Sequence, residues 1–286
     1  MKYAWIQEHT PEFAVAVMCR VLAVSRSGYY AWKQRPVSAR QRRRETLTEQ
    51  IQQIHAQARG VYGSPRIHRE LEAQEIAVCE NTVAKRMREA DLRAQTCRKF
   101  KVQTTDSDHG HPVAENLLDQ QFTVPLPNTV WCTDITYIPT DEGWLYLAAV
   151  LDLCSRKIVG WAMAEHLRAP LCTQALAMAI ARRRPGAGLL HHSDRGVQYA
   201  CEDYQAMLTE NAMTCSMSRV GNCYDNAVME RFFGTLKTER VYREHYATRE
   251  QARRSIFEYI EVFYHRQRRH SALGYLSPEA FEASLN

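Results

Sequence analysis

No run of 18 or more apolar residues occurs anywhere in the 286-residue chain, so no membrane-spanning helix is expected. The opening stretch, MKYAWIQEHT, lacks the apolar core and small-residue cleavage site of a signal peptide, which makes a cytoplasmic, nucleoid-associated location the expectation. The nine cysteines never fall as a C-x-x-C pair, which argues against a zinc knuckle. They read as reduced thiols, most of them small core residues. No internal repeat or low-complexity tract is visible.

What is present is ordinary in amount and uneven in placement. Hydrophobic residues make up 45% and charged residues 24% of the chain, as in a globular protein. A net charge of +5 says little alone, but residues 1–112 hold 19 Lys and Arg against 12 Asp and Glu, while the remainder is close to neutral. The chain reads as an N-terminal helical segment with a basic connector (1–44), a helix-turn-helix-like domain (45–102), a linker (103–128), an α/β domain (129–241) and a helical tail (242–286). In the first segment, helices are expected over 13–22 and 26–34, the second capped by Ser25. The Pro-bearing stretch 35–44, RPVSARQRRR, reads as a surface connector. Further on, Ser64-Pro65 reads as a helix start with Ser as the cap. A basic helix follows Asn81-Thr82, with Val83, Met87 and Ala90 inward and Lys85, Arg86 and Arg88 projecting elsewhere. Two readings fit this front: DNA contact through a helix-turn-helix, or a small bundle with a solvated charged face.

From Val130 the texture changes to three β-rich runs, VWCTDITYI, WLYLAAVLDL and KIVGWAMA, followed by alternating helix and strand. This is the pattern of a mixed five-stranded sheet with flanking helices. Three acids stand out against it. Asp134 interrupts an apolar, β-branched run, Asp194 ends the strand GLLHHSD, and Glu230 lies in the helix DNAVMERFFGTLKTE. Such carboxylates are what metal-assisted phosphodiester chemistry needs, since magnesium takes a few hard oxygen ligands and keeps its waters. Taken singly, each has a plainer reading: a hydrogen-bonding strand aspartate, a turn aspartate and a surface glutamate. Lys237, two helical turns past Glu230, shares its face within reach of a phosphate. Asp152 reads as structural, His191 and His192 as core histidines, and Asn222, Asp225 and Asn226 as loop and cap residues bordering the site. Gln198 and Tyr199 stand open between structure and DNA contact.

Order and spacing join the three acids. Thirty-five residues separate Asp194 from Glu230, and this Asp-Asp-35-Glu arrangement resembles the retroviral integrase and insertion-sequence transposase superfamily. The segments WCTDITYI, HHSDRGVQY, SRVGNCYDNAVMERFFGTLKTE and YHRQRRHSALGYLSPEAF, with MCRVLAVSRSGYYAW and GVYGSPRIHRELE at the front, are similar to the downstream-frame protein of the insertion-sequence family numbered three. The resemblance covers essentially the whole chain. It implies a ribonuclease-H-like integrase core, Mg2+ (with Mn2+ able to substitute) held by Asp134, Asp194 and Glu230, and a DNA-contact role for Lys237. It also implies cleavage of element ends and strand transfer on double-stranded DNA, at terminal inverted repeats and target alike. A homo-oligomer on DNA and an upstream-frame partner or fusion complete the expectation. Lys85, Arg86, Arg88, Arg266, Arg268 and Arg269 are the remaining candidate DNA contacts. Retroviral integrases carry a His-His-Cys-Cys zinc domain, whereas His109 and His111 have no Cys pair at ligand spacing, so no structural zinc is expected. A Ser or Tyr recombinase would need its nucleophile among clustered arginines, and none is seen. The rival readings are a ribonuclease-H-like nuclease that cuts without joining and a DNA-binding regulator with an inert core.

Overall fold

The computed structural model describes residues 1–95, 112–219 and 223–285, and it divides into two units, Met1–Ile54 and His55–Asn286. In the first, α1 (Lys2–Glu8), α2 (Val15–Val21) and α3 (Arg26–Gln34) enclose a small core of Ile6, Met18, Cys19 and Tyr29. Ser25 caps α3 as expected, accepting from Gly28 N at 3.0 Å. The connector expected over 35–44 is corrected: α4 (Ala39–Gln57) begins inside it. Arg, Gln and Ala are good helix formers, and Ser38 Oγ accepts from Gln41 N at 3.2 Å to start the helix just past Pro36.

The second unit opens with α5 (Ser64–Ala73) and α6 (Glu80–Glu89), which pack through the buried Ile67, Leu71, Val83 and Met87. Gly63, not Ser64, occupies the cap position of α5, with Pro65 inside the first turn. Residues 112–128 have no helix or strand, in keeping with a linker, yet they are stitched down: Leu118 is buried and Ser216 Oγ accepts from Leu117 N at 2.9 Å. Cys97, His109, His111 and Asn222 lie outside the described residues.

Five strands follow: β1 (Val130–Ile138), β2 (Leu145–Asp152), β3 (Ile158–Ala164), β4 (Leu190–Ser193) and β5 (Thr214–Met217). Their order is β3-β2-β1-β4-β5, with β1–β2 and β2–β3 antiparallel and β1–β4 and β4–β5 parallel. The antiparallel half is joined by short turns, while each parallel step needs a helical crossover. The crossovers are α7 (Ala169–Arg183), between β3 and β4, and the pair α8 (Val197–Ala200) and α9 (Glu202–Glu210), between β4 and β5. Trp131, Val150, Leu176, Tyr204 and Leu208 belong to the buried core these helices share with the sheet.

Gly160 sets how closely α7 approaches the sheet. A Cβ there would lie 2.2 Å from Ala175 O and 2.6 Å from Ala179 N, which are backbone atoms that cannot swing aside. Gly160→Ala is therefore expected to destabilise the fold by about 3 kcal/mol, the upper range for overpacking. The measurement is a urea titration, and an unchanged midpoint would contradict this packing.

A 3-10 turn (Cys223–Asn226) leads into α10 (Ala227–Glu239), which lies against β1. The tail comprises α11 (Arg249–Glu258), continued by a π-helical stretch (Tyr259–Tyr264), and α12 (Pro278–Ala283). Thr248 and Gln251 form the expected capping box. The tail does not stand apart from the front of this unit. Arg59 pairs with Glu258 and lies over the Phe263 ring, 4.8 Å from its centroid. Arg269 grips Glu70 through two bonds, at 2.6 and 2.9 Å. Tyr62 OH donates to Gln267 O at 3.1 Å and accepts from Arg269 N at 2.8 Å.

Candidate active site

Parallel pairing of β1 with β4 brings two of the three acids together. Cys132 is paired with His192, so two residues further along each chain Asp134, midway along β1, is brought beside Asp194, just past the carboxyl end of β4. Open α/β sheets bind their ligands at that end. Asp134 stands opposite Ala149 of β2, and both aspartates line one cleft with Thr136, Tyr137, Gln198 and the Leu167 side chain. Each carboxylate is oriented by its own backbone: Asp134 Oδ1 accepts from Ile135 N at 2.7 Å, and Asp194 Oδ1 accepts from Gly196 N at 2.9 Å. A Cβ at Gly196 would lie 3.0 Å from that same Asp194 oxygen, so the tight turn after β4 is part of the site.

Glu230 comes from α10. Burial of Met229, Phe232, Phe233 and Leu236 fixes the roll of this helix and leaves Glu230 exposed. Asn226 ties the helix start to the strand bearing Asp134, donating from Nδ2 to Thr133 O at 3.2 Å. Burial first, then the Asp194 carboxylate and next Glu230, push the Asp134 carboxyl well above the usual range, and Lys237 opposes them. Lys237 in turn is half-buried, with Nζ 4.3 Å from the Tyr137 ring centroid; burial lowers its ammonium while Asp134 works the other way. Asp194, Glu230 and Lys237 thus each bear on the Asp134 carboxyl.

Beneath it the histidines are core residues. His192 Nδ1 lies 2.9 Å from Ser216 Oγ and Nε2 3.2 Å from Ser218 Oγ, while His191 Nε2 lies 3.1 Å from Tyr204 OH. Burial pushes His191 down to about 3 and His192 to about 4, so both are neutral. Asp152 is structural, accepting from Asn128 N, Ser155 N and Ser155 Oγ. Asp225 is a fully buried clamp for the neighbouring segment, accepting from Asn116, Gln120 and Arg219. Tyr199 is buried in the core and borders the cleft from below, while Gln198 lines the cleft and donates to Leu167 O at 3.1 Å.

The basic candidates separate cleanly. Lys85, Arg88 and Arg266 are exposed, Arg266 within 3.4 Å of Glu279. Three others are corrected. Arg86 is buried and paired with Glu89, Arg269 is committed to Glu70, and Arg268 is buried with Nε and Nη2 on the Glu239 carboxylate at 2.7 and 2.8 Å. Glu239 escaped sequence reasoning altogether. It also accepts from Tyr259 OH at 2.8 Å and lies 3.9 Å from Arg66, so it joins α10 to both α5 and the tail.

A mixed sheet of this order, with helices on its faces, is the ribonuclease-H-like fold of integrase cores. Family models agree along the chain: an HTH-like domain matches residues 42–100, and two integrase core domain models match 125–223 and 211–278. The chain belongs to the transposases of the IS3 family of insertion sequences, proteins of DNA transposition. It is 46% identical over 284 residues to the transposase InsF for insertion sequence IS3A of Escherichia coli K12, covering 99% of this chain and 98% of that protein. It is 48% identical over 264 residues to a 31 kDa protein of insertion element IS600 from Shigella sonnei, covering 92% of this chain and 97% of that one. Among solved structures, the catalytic core of BIV integrase is similar at 17% identity and a TM-score of 0.42, over 55% of this chain and 96% of that one. The HTLV-2 integrase catalytic core, solved in complex with magnesium, is similar at 20% identity and a TM-score of 0.33, over 39% of this chain and 69% of that one.

Proposed function

We propose that the chain cleaves element ends to free a 3′ hydroxyl and joins that hydroxyl to a second phosphodiester by in-line transesterification, with Asp134, Asp194 and Glu230 holding divalent cations. The observation that carries this reading is the placing of Asp134 and Asp194 side by side on adjoining strands, coupled to Glu230 on the helix packed against β1. The donor set fits a hard cation: His191 and His192 are turned into the core, which leaves oxygen ligands facing the cleft. Among the described residues no three acidic, His or Cys side chains are gathered closely enough to enclose an ion. Magnesium retains water and binds through a few carboxylates, which Asp134, Asp194 and Glu230 would supply. When bound, such ions supply Lewis-acid activation of the attacking oxygen and neutralise charge on the phosphate.

The chain's own residues supply position. Gly196 N and Ile135 N orient the two aspartates, and the packed face of α10 presents Glu230. Lys237 offers a phosphate a point charge beside Tyr137. Lys85 and Arg88 on α6, with Arg266 on the tail, are the exposed cations proposed to hold duplex DNA away from the cleft.

The decisive experiment offers the full chain a labelled, pre-cut element end and a target duplex with Mg2+ or Mn2+, with and without the proposed upstream-frame partner. A joined product that disappears with a chelator is expected. Metal-dependent nicking without joining would favour a nuclease, and end binding with no metal-dependent chemistry would favour a regulator.

A further inference from the structure

We propose that Tyr137 and Trp144 form a stacking seat for an unpaired nucleobase at the DNA end being processed; this rests on the functional reading above. Tyr137 lies three residues past Asp134 on β1 and lines the same cleft as Asp134 and Asp194. Trp144, just before β2, meets the Tyr137 ring edge-on at 4.8 Å between centroids and 81° between planes, yet is 49% exposed. Its position is not loose. Arg249 Nε donates to Trp144 O at 3.2 Å, Thr140 Oγ1 donates to Gly143 O at 2.6 Å in the preceding turn, and Leu145 is already in the ladder with Ile138. The result is a large indole held by its backbone, left half in solvent and packed on the Tyr137 ring that lines the carboxylate cleft.

The chemistry of the surroundings selects the occupant. Lys237 Nζ sits 4.3 Å from the Tyr137 centroid, so the aromatic pair is flanked by a cation suited to a phosphate, and the carboxylates beyond it mark where another phosphate would react. Aromatic surface alternating with positive charge is what a nucleic-acid strand requires of a groove, because every base has a π-face and every link a negative charge. Three residues of strand span roughly 10 Å. This matches about three stacked steps at 3.4 Å each, which places the seated base within three nucleotides of the reacting phosphate. Inside a duplex both faces of that base are covered, so Trp144 can stack on it only when the nucleotide has left the helix or the end has frayed. The seat therefore captures the opened end and holds it open.

The test uses the full chain and element ends carrying 2-aminopurine at each of the three nucleotides flanking the scissile phosphate. Stacking on Trp144 should quench the probe at one of these positions, Trp144→Ala should restore its emission, and Trp144→Phe should keep most of the quench. Strand transfer by Trp144→Ala should fall about tenfold on fully paired ends, in line with the loss of one base–aromatic stack. It should recover on ends whose last three pairs are mismatched. Because Trp144 is half exposed, its variants should melt as the wild type does. Quenching and activity both unchanged in Trp144→Ala would overturn the seat. So would an equal loss on paired and mismatched ends with the quench intact, since that pattern belongs to a structural role. The fluorescence readout needs binding but no chemistry. Trp144-dependent quenching without strand transfer therefore keeps the seat and rejects the joining reaction, whereas absence of end binding by anisotropy rejects both.

Discussion

Replacing any one of Asp134, Asp194 or Glu230 with Ala is expected to cut strand transfer by about a thousandfold or more while the protein still folds and binds its ends. Loss of cation-mediated charge stabilisation costs several kcal/mol of barrier, and each 1.36 kcal/mol is a factor of ten. The same substitutions should not weaken the fold. Asp134 is already opposed by burial and by its two acidic neighbours, so its negative charge is a cost to the native state when no cation is present. Asp134→Asn, which removes the charge and keeps the shape, should melt at or above the wild-type temperature without metal and should lose the upward shift that Mg2+ or Mn2+ gives the wild type. Lys237→Ala should keep that metal-dependent shift, because an ammonium cannot ligate the ion. A thermal melt with titrated metal beside a single-turnover joining assay separates the two effects. Near-wild-type joining by any single carboxylate variant would remove that residue from the site.

The second large effect is structural. Glu239→Ala should cost about 3–5 kcal/mol of stability, the range for removing one partner of a buried ion pair. Arg268 is buried with two of its nitrogens on Glu239; burial works against its charge, but the paired carboxylate overcomes that and holds the guanidinium firmly protonated. Without Glu239 that charge is left in the interior beside Arg66, which lies close enough to Arg268 to disfavour its own charge. Tyr259 OH loses its acceptor as well. Glu239→Gln keeps an acceptor and should lose less. Double replacement of Glu239 and Arg268 by apolar residues of similar volume should recover much of the loss, since the pair costs desolvation to bury. Urea denaturation of the four proteins tests this, and a Glu239→Ala midpoint equal to the wild type would contradict it.

The parts of this architecture that follow from short-range pattern are legible in the sequence. β1 begins and ends where the apolar, β-branched run does, and α3 sits where periodicity and its Ser25 cap put it. Asp134 is visible because it interrupts an apolar, β-branched run, and Asp194 because it ends a strand. The helix that begins inside 35–44 was legible too, through Ser38 and Gln41 at capping-box spacing, but Pro36 and the charge run point the other way. The errors among the basic residues have a different origin. A helical wheel says which arginines are off the apolar stripe, and it is silent on which distant carboxylate meets them. Arg269 and Glu70 are 199 residues apart, and Glu239 meets Arg268 across 29. The registers that pair them are set by tertiary packing, which no local period encodes.

The joint between residues 59–70 and the tail has a consequence for how such a protein diversifies. The Arg59–Glu258 and Glu70–Arg269 pairs, together with Tyr62 on Gln267 and Arg269, couple the edge of the HTH-like region to residues 199 to 207 positions downstream. A graft that imports only the front of another element's transposase would bring its own residues against Glu258 and Arg269 and leave two ion pairs unmatched. Exchange of the front thus favours transfer of the front and the tail together. Descendants that trade the front alone should carry compensating changes at 258 and 269, the scar by which an old recombination can be dated against the core that lies between.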